Sequence, residues 1–446
     1  MIERLAFYFP LTQTLTSNRM VNGGLLVYKL THLDNGLRIV TSTMPNTYSV
    51  CVTIFVGTGS RYETDGNAGI SHFLEHILFK GSKRWATPRE LSEAVEGVGG
   101  ILNGGTDKEL TVYWVKVARP HFQLAVDVLS DMFRYPRFQP EEVEKERQVI
   151  FEEINMSRDS PSQRVDLLID EVLWPNQPLG RDVAGSRETI SNTSRQNLMD
   201  FMSSQYLPVN TVIAVAGDIS HDEVLERLHQ SFDSWKGGQP QKWFPAIDNQ
   251  NTPRFQVETM ETEQANICLA LKGISGFNPQ RFTLGLLNVI LGEGMSSRLF
   301  LEIREKRGLA YEIHSYPQFF LDSGSFIVYA GIDPQKMESG IEAILSELSR
   351  LREPIPEAEV VKAREFFKGR MLLRMEDTRS VAGFLGGQLL LTGNILTVDE
   401  IVARIDKVTA EEIQNLARQL IVTPKLNLAV VGPKINTDRL QNLLKV

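Results

Sequence analysis

A chain of 446 residues with a formal net charge of −8 has room for two large domains or three of average size. Hydrophobic residues at 42% and charged residues at 23% match ordinary globular usage and exclude long-range disorder, while the acidic balance excludes a general nucleic-acid binder, which needs a basic surface. No run approaches the ~20 consecutive apolar residues of a membrane span, and Cys51 and Cys268 are too few for a disulfide scaffold, so they read as buried thiols of a reducing compartment.

Residues 1–20 carry a short apolar run, but Glu3 precedes it and no small-residue cleavage site follows, so they read as a leader or extension rather than a secretory signal. A hairpin is predicted next, from strand-like runs at 26–33 and 37–42 joined by Asp34-Asn35-Gly36. Strand patterns follow at 49–56, 110–117 and 212–215, and helical periodicity at 70–80, 88–98, 122–133 and 140–156. This alternation means α/β or α+β layers, with helices packed on sheets.

The Gly/Pro/polar stretch 236–254 is the linker candidate, and the pattern beyond it repeats what came before. Ile213-Ala214-Val215-Ala216-Gly217 is echoed 215 residues on by Leu428-Ala429-Val430-Val431-Gly432. The two cysteines lie in matching strand-like runs, 50–54 and 267–271. Pro140-Glu141, opening a helix with Val143, Lys145 and Arg147, is mirrored by Pro356-Glu357 with Val360, Lys362 and Arg364. Common order and near-constant offset point to a duplication, with domains at 21–235 and 255–446.

Chemistry concentrates in the segment 70–80, where His72, Glu75, His76 and Phe79 share one helical face and Ile70, Phe73, Leu74, Ile77 and Leu78 cover the rest. A helix apolar nearly all round is buried, and burying two imidazoles and a carboxylate unpaired costs several kcal/mol. The stripe therefore needs a partner or a cleft. Histidines at i and i+4 are spaced to chelate one Zn²⁺, and Glu75 is placed to act on a water at the ion rather than on the ion itself. A pair of core histidines satisfied by backbone or carboxylate is the bland alternative. The helix 140–156 offers a third ligand: Val143, Ile150 and Ile154 define its apolar stripe, Glu146 and Glu153 lie together at the edge of that stripe, and Glu152 points to solvent. Glu153 is thus aimed inward and Glu146 is placed to support a ligand from behind. A wholly solvated acidic face is the competing reading, because helix geometry alone does not bring two helices together.

His72-x-x-Glu75-His76, an acidic helix with Glu153 77 residues beyond His76, and the duplicated layout resemble the pitrilysin/insulinase family of inverted-motif zinc peptidases. Within it the chain is most similar to the short-chain branch that includes the mitochondrial processing peptidases, and the resemblance spans residues 21–446. It implies an α+β fold of two homologous domains, each a mainly antiparallel sheet packed with helices. It also implies one Zn²⁺ per chain on His72, His76 and Glu153, with Glu75 as general base and Glu146 as supporting acid.

Residues 99–106 followed by 110–117 are similar to the edge strand on which the family lays its substrate. That sets Asn103, Gly104, Gly105 and Thr106 against the peptide and makes 110–117 the edge that an extended peptide joins. Residues 294–300 resemble the family's glycine-containing segment, and Arg304 and Tyr311 match its substrate-facing Arg/Tyr pair. Gly104 stands where the family usually has alanine, and Glu293 interrupts what is often an all-glycine run. The second half has no His-x-x-Glu-His, and Arg370 falls where Glu153 falls in the first, so only the first half is expected to hold metal. His32, His121, His221, His229 and His314 lack metal-like spacing and read as surface or structural.

The expectation is a zinc-dependent endopeptidase hydrolysing unfolded peptides or presequences inside a dimeric chamber. A homodimer, or else a heterodimer with a paralogue, would complete the site. The setting expected is a prokaryotic-type cytoplasm in preference to an organellar matrix. The alternative from another class is a catalytically inert structural or partner subunit of a processing-peptidase-like complex.

Overall fold

Backbone pairing sorts the strands into two sheets in the computed structural model, which describes residues 26–433 and 437–446. The reading of residues 1–20 as a leader lies outside the described residues. The first sheet contains β1 (Lys29–His32), β2 (Arg38–Thr43), β3 (Ser49–Val56), β4 (Ile101–Thr106), β5 (Thr111–Ala118) and β6 (Thr211–Gly217), in the order β1-β2-β6-β3-β5-β4. The second contains β7 (Arg254–Thr259), β8 (Ala265–Lys272), β9 (Ala310–Phe319), β10 (Gly324–Ile332) and β11 (Asn427–Gly432), in the order β7-β11-β8-β10-β9. With β1 set aside, the two orders match strand for strand. Each sheet has one parallel pair, β2 with β6 and β7 with β11, at the same place, and is otherwise antiparallel. This is the duplication that the sequence echo implies and the α+β fold that the family resemblance implies.

The echo also gives a ruler. Gly217 lies opposite Val50, and Gly432 lies against Ala265. Cys51 pairs with Ala216, next to that glycine, whereas Cys268 pairs with Ala429, three residues before Gly432. The cysteines therefore share a face of matching strands but stand two residues apart along them, and both are buried free thiols.

Local sequence explains most elements. Gly36, at φ 91°, closes the β1–β2 hairpin, and the Asn35 side chain donates to the carbonyls of Phe232 and Trp235. The helix Pro140–Asp159 starts with proline at its first turn and Glu141 and Glu142 beside it, where the helix dipole favours acids. One expectation fails. Residues 110–117 do not form an edge: β5 runs between β3 and β4, buried along most of its length, and β4 is the outer strand. Val112, Tyr113, Trp114, Val115 and Val117 put apolar side chains on both faces, which suits a central strand. Asn103-Gly104-Gly105-Thr106 has little to bury and ends the sheet.

The halves exchange helices. Pro161–Leu173, from the first half, packs on β11, β8 and β7, and Thr378–Thr392, from the second, packs on β3, β6 and β2. Val165, Leu168, Ile169 and Val172 share one apolar cluster with Cys268, Ala270, Ala429 and Val431. Opposite them, Gly386 sits hard against Phe55 and Ala214. Residues 236–253 form neither helix nor strand and connect the helix His221–Phe232 to β7. The buried Arg61 ties these parts together: it ion-pairs with Glu109 of the first half and Asp322 of the second. Its guanidinium also lies 4.4 Å from the Trp243 ring centroid, and its Nε donates to the Phe244 carbonyl at 2.9 Å. No helix of the described residues is long and apolar enough to cross a membrane.

Candidate metal centre

The helix Ile70–Leu78 begins at Gly69, whose φ of 90° and whose close approach to the Ala184 carbonyl leave no room for a side chain. Its first turn is capped from upstream. The fully buried Glu63 carboxylate accepts the backbone N–H of Gly69 at 2.7 Å and of Ser71 at 2.8 Å. Burial pushes the Glu63 pKa up, and those bonds oppose the shift. Ile70, Phe73, Leu74, Ile77 and Leu78 are buried, as the helical pattern requires, so the remaining stripe is fixed in direction by packing.

That stripe faces the helix Pro140–Asp159. His72 Nε2 and His76 Nε2 lie 3.2 Å apart, and Glu153 Oε2 lies 3.7 Å from the first and 3.5 Å from the second. Donors bound tetrahedrally at about 2.0–2.1 Å sit about 3.3 Å from one another, so the three atoms are spaced for a single ion. Among the described residues this is the one such group. Glu152 is exposed, as the helix geometry predicts.

The protonation pattern fits a cation as well. Glu146 Oε2 lies 2.9 Å from His76 Nδ1, and an ionised carboxylate has no proton to give, so Nδ1 carries the hydrogen and Nε2 is left to ligate. Glu146 Oε1 takes Lys80 Nζ at 2.7 Å. Burial works to raise the Glu146 pKa, but the bonds from His76 and Lys80 outweigh it and hold the carboxyl below its usual range. For His76, burial disfavours the charge, yet Glu146, Glu153 and Glu75 together win and hold its pKa above the ordinary value. His72 is pushed down to about 3, by burial first and by His76 second. Its Nδ1 is buried without a hydrogen-bond partner among the described residues.

Glu75 accepts from Thr106 Oγ1 of β4 at 2.9 Å. Burial raises its pKa, helped by Glu153 and opposed by Thr106 and His76. A half-buried carboxylate with a raised pKa, standing beside that triad of possible ligands, is equipped to take up and return a proton. The same contact brings the outer strand to the cluster. Asn103, Gly104, Gly105 and Thr106 all lie on β4, whose outer edge is unpaired in the sheet. A Cβ at Gly104 would come 3.0 Å from the Phe79 ring and 3.1 Å from the Val112 carbonyl oxygen, so alanine there needs a shift of a few tenths of an ångström.

Arg304 and Tyr311 are brought to each other and not to the cluster. Arg304, in the short π-helix Phe300–Lys306, lies 4.7 Å from the Phe300 ring and 5.5 Å from the Tyr311 ring, and Tyr311, 74% exposed, is the second residue of β9 in the second sheet. Sequence reasoning missed Lys80 and Glu63. Lys80 follows His76 by four residues on the same face, a signal that was available. Glu63 belongs to no periodic segment, so its capping role leaves no spacing to read.

Comparison with known proteins gives concordant results. Residues 38–187 match the family described as insulinase (peptidase family M16), and residues 192–367 match the peptidase M16 inactive domain. The Bacillus subtilis protein named "Uncharacterized zinc protease YmxG" is 37% identical over 408 residues, covering 90% of this chain and 98% of that one. A protease from Helicobacter pylori superposes with a TM-score of 0.87 at 23% identity, over 92% of this chain and 100% of that one. A chain of complex III2 from Candida albicans superposes with a TM-score of 0.81 at 20% identity, over 94% of this chain and 100% of that one. The two structural likenesses are likenesses of fold.

Proposed function

The chain belongs to the insulinase family of peptidases, family M16, and we propose that it is a zinc-dependent endopeptidase acting on unfolded peptides. One observation carries the reading: three ligand atoms of His72, His76 and Glu153 converge at tetrahedral spacing, with the half-buried Glu75 alongside. His72, His76 and Glu153 would hold the ion. Zinc bound there supplies a Lewis acid and an open coordination position.

The chain's own residues do the rest. Glu75 takes the proton of the attacking water and delivers it to the leaving amine. Thr106 orients Glu75 through their hydrogen bond, and Glu146 fixes the tautomer and direction of His76. The free edge of β4 receives an extended peptide through backbone hydrogen bonds, which tolerates many side-chain sequences. Tyr311 and Arg304 would donate to substrate carbonyls or to the developing oxyanion. Because they stand on the second sheet without contact to the cluster, a second copy of the chain would present them, in a homodimer with two composite sites.

Metal analysis and peptide cleavage test this reading together. About one zinc per chain is expected, as in three-ligand catalytic sites. Glu75→Gln should keep that zinc and lose about 10²- to 10⁴-fold in hydrolysis of an unfolded peptide. Normal cleavage by the variant would overturn the mechanism. A zinc-loaded wild-type chain that cleaves nothing would point to an inert partner subunit instead.

A further inference from the structure

In the second half, the place that corresponds to the metal cluster is a cavity. The helix Arg281–Leu291 packs against Glu357–Arg374 and β9, as Ile70–Leu78 packs against Pro140–Asp159 and β4. Among these elements opens a space of about 670 Å³, within the range of small-molecule sites. Phe282, Phe367, Met371, Met375, Phe384 and Ile401 make most of its wall apolar. Arg370 and Arg374, one turn apart, line it with exposed side chains. Arg370 lies over the Phe366 ring at 5.4 Å, and among the described residues neither arginine is paired with a carboxylate.

The charges that face this space favour an anion. Glu293 also lines it, but its carboxylate is taken by Asn288 Nδ2 at 3.0 Å, and Asn288 Oδ1 in turn accepts from Ser315 Oγ at 2.7 Å. His314 lines the cavity too, with Nδ1 3.6 Å from Glu312. Two uncompensated guanidiniums thus stand against one engaged carboxylate. The neighbouring strand disfavours a peptide as occupant. Pro317 sits within β9 and has no N–H to give to an added strand, whereas β4 contains no proline.

We propose that this cavity binds a small amphipathic carboxylate, whose apolar body fills the Phe/Met-lined wall while Arg370 and Arg374 take the anion through charge-assisted hydrogen bonds. The site belongs to the second half and does not depend on the metal centre. A linear fatty acid and an aromatic acid both carry this chemistry.

Isothermal titration of the full-length, metal-loaded chain tests it, with sodium decanoate and 3-phenylpropionate as the two acids, each below any micelle concentration. Saturable binding is expected, with the tighter of the two acids identifying the body. Binding of decanoate should be about tenfold or more tighter than that of 1-decanol or decylammonium, since each of those removes or inverts the charge. The R370Q/R374Q chain should lose at least about tenfold in affinity for the acid, with an unchanged melting transition because both side chains are exposed. Absence of saturable binding, equal affinity for decanol, or undiminished binding by R370Q/R374Q would each overturn the proposal. The last outcome would place the carboxylate elsewhere, including at the metal.

Discussion

His76 is held from both ends, with Nε2 turned toward His72 and Glu153 and Nδ1 bound to Glu146, which Lys80 holds in turn. This arrangement sets a pH dependence. A proton competes with a metal for Nε2, and because the His76 pKa is raised above 6.5, that competition begins at a higher pH than for a free imidazole. His72, at about 3, adds none until the solution is strongly acidic. Apparent zinc affinity should therefore be flat at high pH and fall about tenfold per pH unit below the His76 pKa, as one proton is displaced per ion. Glu146→Gln removes a carboxylate that raises this pKa, so the fall should start at lower pH, while affinity on the plateau drops about 10- to 100-fold. Chelator competition from about pH 5.5 to 8.5 reads both effects. A Glu146→Gln curve identical to wild type would mean that this carboxylate neither orients nor charges the ring.

Helices and strands were legible in proportion to how one-sided their burial is. The segment carrying His72, Glu75 and His76 announced itself because five apolar residues left one polar stripe, and the hairpin did so through Asn35-Gly36. Sequence does not separate β4 from β5, because a central strand and an edge strand of the same hairpin differ in what covers their outer side, which is a tertiary fact. Glu63 was invisible for a related reason: a cap supplied from a loop depends on a fold-back that no period encodes. The exchanged helix Thr378–Thr392 also hid its role, since its glycines look like weak points. Their surroundings differ. A Cβ at Gly386 would meet the Phe55 ring at 2.3 Å and the Ala214 Cβ at 2.9 Å, whereas one at Gly387 meets nothing within 4 Å. Gly386→Ala should therefore destabilise by about 1–3 kcal/mol through overpacking. Gly387→Ala should be neutral or stabilise by up to about 1 kcal/mol through lower unfolded-chain entropy. Denaturant midpoints compare the two, and equal shifts would mean that the helix can slide off β3 and β6.

Across the molecule, duplication has left two similar sheets with unlike sites: a carboxylate–imidazole cluster on the first and an arginine-lined cavity, with Arg304 and Tyr311, on the second. The separation of Tyr311 from Glu75 carries the dimer proposal, and mixing variants checks it. Glu75→Gln and Tyr311→Phe chains, each impaired alone, should recover about a quarter of wild-type activity when mixed and re-associated. Random pairing makes half the dimers mixed, and each mixed dimer holds one intact composite site. No recovery would mean that each chain completes its own site.

The exchange of helices between halves bears on what holds the protein together. Pro161–Leu173 and Thr378–Thr392 act as mutual latches, so the segment 236–253 is not what joins the two halves. A protease nick there should leave a particle that still elutes as one, separable only by denaturant. Expressed alone, either half would leave one broad face of its sheet bare and would be expected to precipitate, so the polypeptide divides into two repeats on paper but into none in solution.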